Sequence, residues 1–472
     1  MNLRFLDMQD RLCAAARWLI VWACLMLAAC GPGRERGAET PTRTAVGATS
    51  SLPPMRTFPD PRPVRAARSN QEIARDILDL SFQLESGRAL PVLSRFEEPI
   101  TVRVTGKPPV TLMADLDRLL YRLRSEANLD IRRISEGQAN ITIEAVSGDA
   151  IRRHLPTAAC FVVPNVSSLS EYRVARNRGL TDWTKLTRRE RLAVFVPYDV
   201  SPQETRDCLH EELAQALGPL NDLYRLSDSV FNDDNVHAVL TGFDMLILRA
   251  YYAHDLEVGM TRQEVAARLP EILTRLNPAG NGLPSRFAPE TPRAWIDAIQ
   301  TALGPGASLP RRRAAALEAL RIAQASGWDD HRLGFSHFAL GRLIQGSNGT
   351  LAAQQFAAAD LVYQRHSGMD LHRAFAAAQL SAYAITQGRG EEALLRVKPH
   401  LATAKRYENA ALLTTLMLLQ AEALDVTGRS AEAEAVRLDS LGWARYGYGA
   451  DWAVQAKLRD MSALNPLKGP NG

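Results

Sequence analysis

Residues 207–222 read DCLHEELAQALGPLND. The apolar spacing is helical and the helix should stop at Gly218-Pro219, where glycine permits a turn and proline cannot continue the ladder. Two frames are open. Starting at His210 gives His-Glu-Glu-Leu-Ala. Two imidazoles four residues apart on a helix can share one metal, with the intervening glutamate as base. Ala214 occupies the second ligand position and offers none, so that frame fails. One residue further on, Glu211, Glu212, Gln215, Gly218 and Asn221 stand at relative positions one, two, five, eight and eleven.

That second spacing resembles the metzincin motif H-E-x-x-H-x-x-G-x-x-H. The resemblance implies Glu212 as the general-base position and Glu211, Gln215 and Asn221 as the three metal positions, with Asp222 alongside. Gly218 would end the helix in a left-handed turn that swings the third ligand back. Downstream, DSVFNDDN (228–235) puts Ser229, Val230 and Phe231 where the family carries a Ser-x-Met turn. LTGFDMLILRAYY (240–252) resembles the matrixin-type closing helix with its early Asp244. The resemblance spans residues 99–252, under half the chain.

The departures decide the chemistry. Zinc is held by imidazole, thiolate and carboxylate, commonly three protein ligands plus water. One carboxylate and two carboxamides are a poor set, because amide oxygens are hard, weak donors. The resemblance therefore implies a vestigial peptidase site with no cofactor. Calcium or zinc bound in an unusual way is the alternative. Asn221, Asp222, Asp233, Asp234 and Asn235 could offer oxygens to calcium. The plainer reading of that segment is a turn bonded to its own backbone. His210 is expected to face out or pack locally, and His237, which could reach the cleft, to be a satisfied structural histidine.

Outward from this helix the sequence divides into regions. Residues 69–286 alternate helix and strand signals. Ser69-Asn70 caps a helix with apolar positions Ile73, Ile77, Leu78 and Phe82. PITVRVTG (99–106) alternates as a strand. Leu112, Leu116, Leu119, Leu120 and Leu123 make one helical stripe. Strands follow at 139–148, 160–165 and 191–200. Ser201 with Glu204 three residues on reads as a capping box for the 201–218 helix. The fold class is α+β, a sheet with packed helices in a degenerate metzincin-like domain. An all-α helical-hairpin repeat domain follows over 287–467, with a tail at 468–472. In that region Gly346, Gly388 and Gly428 separate apolar helices from Ala-rich ones at intervals of 42 (388 − 346) and 40 (428 − 388) residues. The pattern resembles tetratricopeptide-type repeats, although their usual period is about 34.

The N-terminus sets the compartment. Residues 1–29 carry three arginines and then the apolar run WLIVWACLMLAA (18–29), of signal-peptide length. LAAC (27–30) resembles a bacterial lipobox, which implies lipidation of Cys30. Gly31 after it implies the outer membrane, facing the periplasm. Residues 30–68 are rich in Gly, Pro, Thr, Ala and Arg and are expected to be a disordered tether. Beyond Cys13, Cys24 and Cys30 the body holds only Cys160 and Cys208, for which an oxidising compartment predicts a disulfide. A net charge of +4 over 472 residues gives no case for nucleic acid. The combination of lipobox, this domain and Ala-rich C-terminal helices also resembles a lipoprotein family of alphaproteobacteria.

The expected function is a non-catalytic envelope lipoprotein. Its groove would bind a polypeptide along the strand LAVFVPYDV (192–200) as sheet edge, and its repeats would bind a second protein partner. An active metal-dependent hydrolase with non-standard ligands and a purely structural envelope scaffold are the alternatives. The stretches RSEANLDIRR (124–133) and RNRGLTDWTKLTRRERL (176–192) read as solvated basic surface.

Overall fold

A computed structural model describes residues 52–58, 64 and 66–468. The expected signal segment, Cys30 and most of the expected tether lie outside them. The first helix, α1 (Asn70–Ser81), opens with a full capping box between Ser69 and Glu72. Then come β1 (Ile100–Gly106), α2 (Leu112–Ala127), β2 (Ile131–Arg133), β3 (Ile141–Val146), α3 (Gly148–Arg152), β4 (Phe161–Pro164), α4 (Leu169–Ala175) and β5 (Leu192–Pro197). The long helix α5 (Pro202–Leu217) follows, and then α6 (Gly242–Tyr251) and α7 (Arg262–Leu276).

The five strands form one sheet in the order β2-β1-β3-β5-β4. All neighbours are parallel except β4, which runs antiparallel to β5. Alternation sends Val102, Ile141, Ile143, Val194 and Val196 to one face, where α1, α2, α5, α6 and α7 build the main core. Phe161, Val163, Ala193 and Phe195 point the other way and are covered by Ile151, Tyr172 and Ala175 of α3 and α4. Every residue of β5 is buried, as befits a strand covered on both faces. The expected sheet edge at 192–200 is therefore wrong. β5 is interior, and the edges are β2 and β4. The short strand β2 lies inside a segment read from sequence as solvated surface. Ile131 is its only buried residue, so no alternation announced it.

The rest of the chain is helical: α8 (Arg293–Leu303), α9 (Leu309–Ala325), α10 (His331–Ile344), α11 (Gly349–Gln364), α12 (Asp370–Thr386), α13 (Gly390–Val397), α14 (Leu401–Arg406), α15 (Ala410–Val426), α16 (Ser430–Tyr448) and α17 (Asp451–Ser462). Helices α10/α11, α12/α13 and α15/α16 pack as pairs. Gly388 and Gly428 turn two of these pairs with positive φ, +71° and +79°. On α10, Gly341 admits the Phe356 ring so closely that a Cβ would stand 2.6 Å from it.

The expectation that residues 30–68 bury nothing fails for the described part. Phe58 is buried and stacks on Trp443 at 4.8 Å. The Arg56 N–H donates to Gly442 O, and Arg118 reaches Phe58 O at 2.6 Å. Arg68 pairs with Asp76 and Asp228. An extended strand needs no apolar period to bury isolated anchors in a groove that other helices supply, which is why composition misled. Among the described residues no helix is long and apolar enough to cross a membrane.

Candidate functional site

Helix α5 is held on every side. Ser201 caps its start by accepting the Glu204 N–H at 3.1 Å. The return bond from the Glu204 carboxylate is absent from this cap, so the expected capping box is half formed. One flank packs on β5 and α2, the other on α16. Arg206, fully buried, pairs with Asp207 and donates to Glu408 O at 2.9 Å in the helical region. The Gln203 amide caps α15 by accepting the Ala411 N–H. Cys208 is joined to Cys160, just before β4, by a disulfide with a Cα–Cα distance of 5.9 Å. These contacts account for the burial of most of α5.

The C-terminal end is capped by a side chain that no local pattern marks. Arg189, 2 % exposed, donates to Gln215 O at 2.6 Å, Ala216 O at 2.8 Å and Gly218 O at 2.5 Å. A cation here meets the negative end of the helix dipole and satisfies carbonyls that have no partner inside the helix. It sits in a run read as solvated surface. Its only signal is position, after a turn and ahead of a buried strand.

Five carboxyl groups gather beside α5. Glu211 and Glu212 come from the helix, Glu85 from the loop after α1, and Asp222 and Asp233 from the loops between α5 and α6. Burial first, then Glu85, Asp233 and Asp207, push the Glu211 carboxyl up to about 7. Burial, then Glu211 and Glu85, hold Glu212 well above the usual range. Asp222 is also raised well above it, by burial first and then by Glu85, Glu211 and Asp233. Glu85, at the exposed mouth, is raised as well, by burial first and then by Asp233. Asp233 is fixed by the Tyr224 hydroxyl at 2.8 Å. Nearby Asp76 and Asp79 are paired with Arg225 and Arg262. Among the described residues none of the five has an arginine or lysine within ion-pair distance, and Glu212 Oε2 and Asp222 Oδ1 are buried without a hydrogen-bond partner.

The positions singled out from sequence only partly converge. Glu211 and Glu212 are in the cleft. Gln215 is buried, with its amide toward Asp222 at 3.4 Å. Asn221 turns away and donates to Asp79 O at 2.9 Å, tying the loop to α1. Gly218 ends the helix with φ −157°, so the expected left-handed turn is not there. The oxygens considered for calcium separate too. Asp234 accepts from His372 in the helical region, and the Asn235 amide bonds Asp233 O. With Asn221 turned to α1, the three positions do not converge as the resemblance implies. Among the described residues no three His, Cys, Asp or Glu side chains are arranged to hold a metal.

His210 accepts the Leu240 N–H and packs locally. His237 lies in a seam with His372 and Tyr407. The turn at 229–231 is tied to Asp244: Ser229 Oγ donates to its carboxylate at 2.5 Å, and the Val230 and Thr241 N–H groups bond it too. Glu85 was missed from sequence. It lies over a hundred residues from α5 in the chain, and nothing local marks it.

Residues 70–271 match a family model described as a protein of unknown function, DUF2927. No curated protein and no solved structure matches the chain.

Proposed function

We propose that this protein is a non-catalytic binding protein of the cell envelope, anchored through lipidated Cys30, whose acidic cleft takes a cationic segment of a partner polypeptide. The carrying observation is the group of five carboxyls without a basic partner, two of them with a buried, unsatisfied oxygen. Burying like charges together is costly. A lysine- or arginine-rich segment would offset that cost by supplying the missing donors and charge.

A degenerate metzincin-like frame supports this reading. The sheet is followed by long α5, its glycine stop, the Ser229–Phe231 turn bonded to Asp244, and the closing helix α6, in the succession that the resemblance implies. β4, beside the disulfide to α5, offers a free sheet edge along which a polypeptide could add. The paired helices resemble tetratricopeptide-type hairpins. A groove of about 320 Å³ lined by Leu401, Leu413, Met417 and Val436 is their candidate surface for a second partner.

Labelled decalysine should bind the purified chain saturably, and Glu211→Gln with Asp222→Asn should weaken it by about tenfold or more. A decaglutamate control should not bind. Equal binding by the variant would overturn the proposal. A hydrolase is the rival, favoured by the Glu211 carboxyl poised near neutrality, where a general base works best. Peptide cleavage abolished by Glu212→Ala would establish it. For the anchor, Cys30→Ser should leave unprocessed precursor in cells, and normal processing would refute lipidation.

A further inference from the structure

The other side of the sheet carries the opposite charge. Helices α3 and α4 and the turn after α4 border an open depression of about 710 Å³. Its lining includes Arg153, His154, Ser170, Arg173, Arg176 and Asn177, and no Asp or Glu. The acids of the neighbourhood are engaged elsewhere. Asp149 pairs with Arg152, Glu171 with Arg191 and Asp182 with Arg88. Arg153, Arg173 and Arg176 are left without a carboxylate partner among the described residues.

The three guanidiniums surround one imidazole. Arg176 Nη1 lies 3.4 Å from His154 Nδ1, and its guanidinium stands over the Tyr172 ring at 6.0 Å. Tyr172 in turn meets His154 edge-on at 5.7 Å. Tyr172 is buried against Phe161 and Phe195 of the sheet, so this wall is rigid. Burial, and then the fields of Arg176, Arg173 and Arg153, hold His154 below its usual range, the mark of an uncompensated positive potential.

We propose that this depression binds a phosphate-bearing anion carried on a larger polar body, a sugar phosphate or the headgroup of an anionic phospholipid. Guanidinium forks match phosphate oxygens in pairs, and the Ser170 hydroxyl and Asn177 amide add neutral donors. The volume is that of a small-molecule site, about 300–1,000 Å³, so the phosphate comes with a body attached. Leu169 and Ala150 give that body an apolar contact. The site lies across the sheet from the acidic cleft and does not depend on what the cleft binds.

The test is calorimetric titration of the full chain, in a zwitterionic detergent, with inorganic phosphate, glucose 6-phosphate, dihexanoyl phosphatidylglycerol and dihexanoyl phosphatidylcholine. The anionic probes should bind saturably and the zwitterionic lipid should not. Tighter binding of the sugar phosphate would identify a soluble ligand, and tighter binding of phosphatidylglycerol a headgroup. Arg153→Glu, Arg173→Glu and Arg176→Glu together should weaken the preferred probe by about tenfold or more. The milder pair Arg173→Gln and Arg176→Gln, checked by circular dichroism, covers the case in which the triple variant does not fold. Absence of saturable binding by every anionic probe, or affinity unchanged in a folded variant, would overturn the site.

Discussion

Replacing Arg189 by methionine should be among the most damaging single changes in the sheet domain. The guanidinium is buried and serves three carbonyls at the end of α5 and Ser94 Oγ at 3.3 Å. Methionine fills much of the volume and removes every donor. Each carbonyl left dry costs about 1–3 kcal/mol. Relaxation, entry of water and the relief of no longer burying a charge return part of that sum. A net loss of about 3–5 kcal/mol follows. With a urea m-value of about 3 kcal/mol/M, the unfolding midpoint should fall by about 1–1.7 M at unchanged slope. Lysine keeps the charge but loses the planar fork, so Arg189→Lys should recover only about half. Urea unfolding followed by circular dichroism measures both. A midpoint shift under about 0.3 M for Arg189→Met, or full recovery by lysine, would refute the capping role.

Further outcomes follow from other contacts. Glu211 binds its proton more tightly folded than unfolded, its value rising from 4.5 to about 7; its contribution is complete below pH 4.5 and is lost as pH rises to about 7, a change of up to about 3 kcal/mol. The wild type minus Glu211→Gln difference in stability should therefore fall across that window, and a rise would refute it. His237 runs the other way: burial and His372 lower it from 6.5 to about 4, so its contribution is complete above pH 6.5 and is lost toward pH 4, by about 3 kcal/mol. His237→Phe should flatten that acid limb. Replacing Cys160 and Cys208 by serine opens a loop with a sequence separation of 48 and should cost about 4 kcal/mol in the chain-entropy model; a loss under about 1 kcal/mol would show that the unfolded state is not constrained as supposed. Phe58→Ala should expose Trp443 and shift tryptophan emission to the red, and unchanged emission would place the stack elsewhere.

Elements with strong periodicity were legible from local pattern alone. The leucine stripe of α2, the alternation in β1, the Ser69–Glu72 box and the Ser201 start of α5 are local patterns, and each is found where its pattern puts it. The pairing of Cys160 with Cys208 was also legible, since the body of the chain holds no other cysteine. Spacing placed Glu211 and Glu212 on one helix facing a common space.

What those residues meet is settled by packing between segments far apart in the chain. Strand order made β5 interior and β4 an edge, because pairing is settled by partners far away in the chain. Glu85 joined the cleft from a loop with no local signal, Asp233 entered it apart from the other oxygens considered for calcium, and Asn221 left it for a carbonyl of α1. Arg189 and Phe58 carry the same point. A charged run and a proline-rich stretch read alike whether they lie in water or in a groove, because burial is a property of the neighbours that folding brings, and those neighbours are not written beside them.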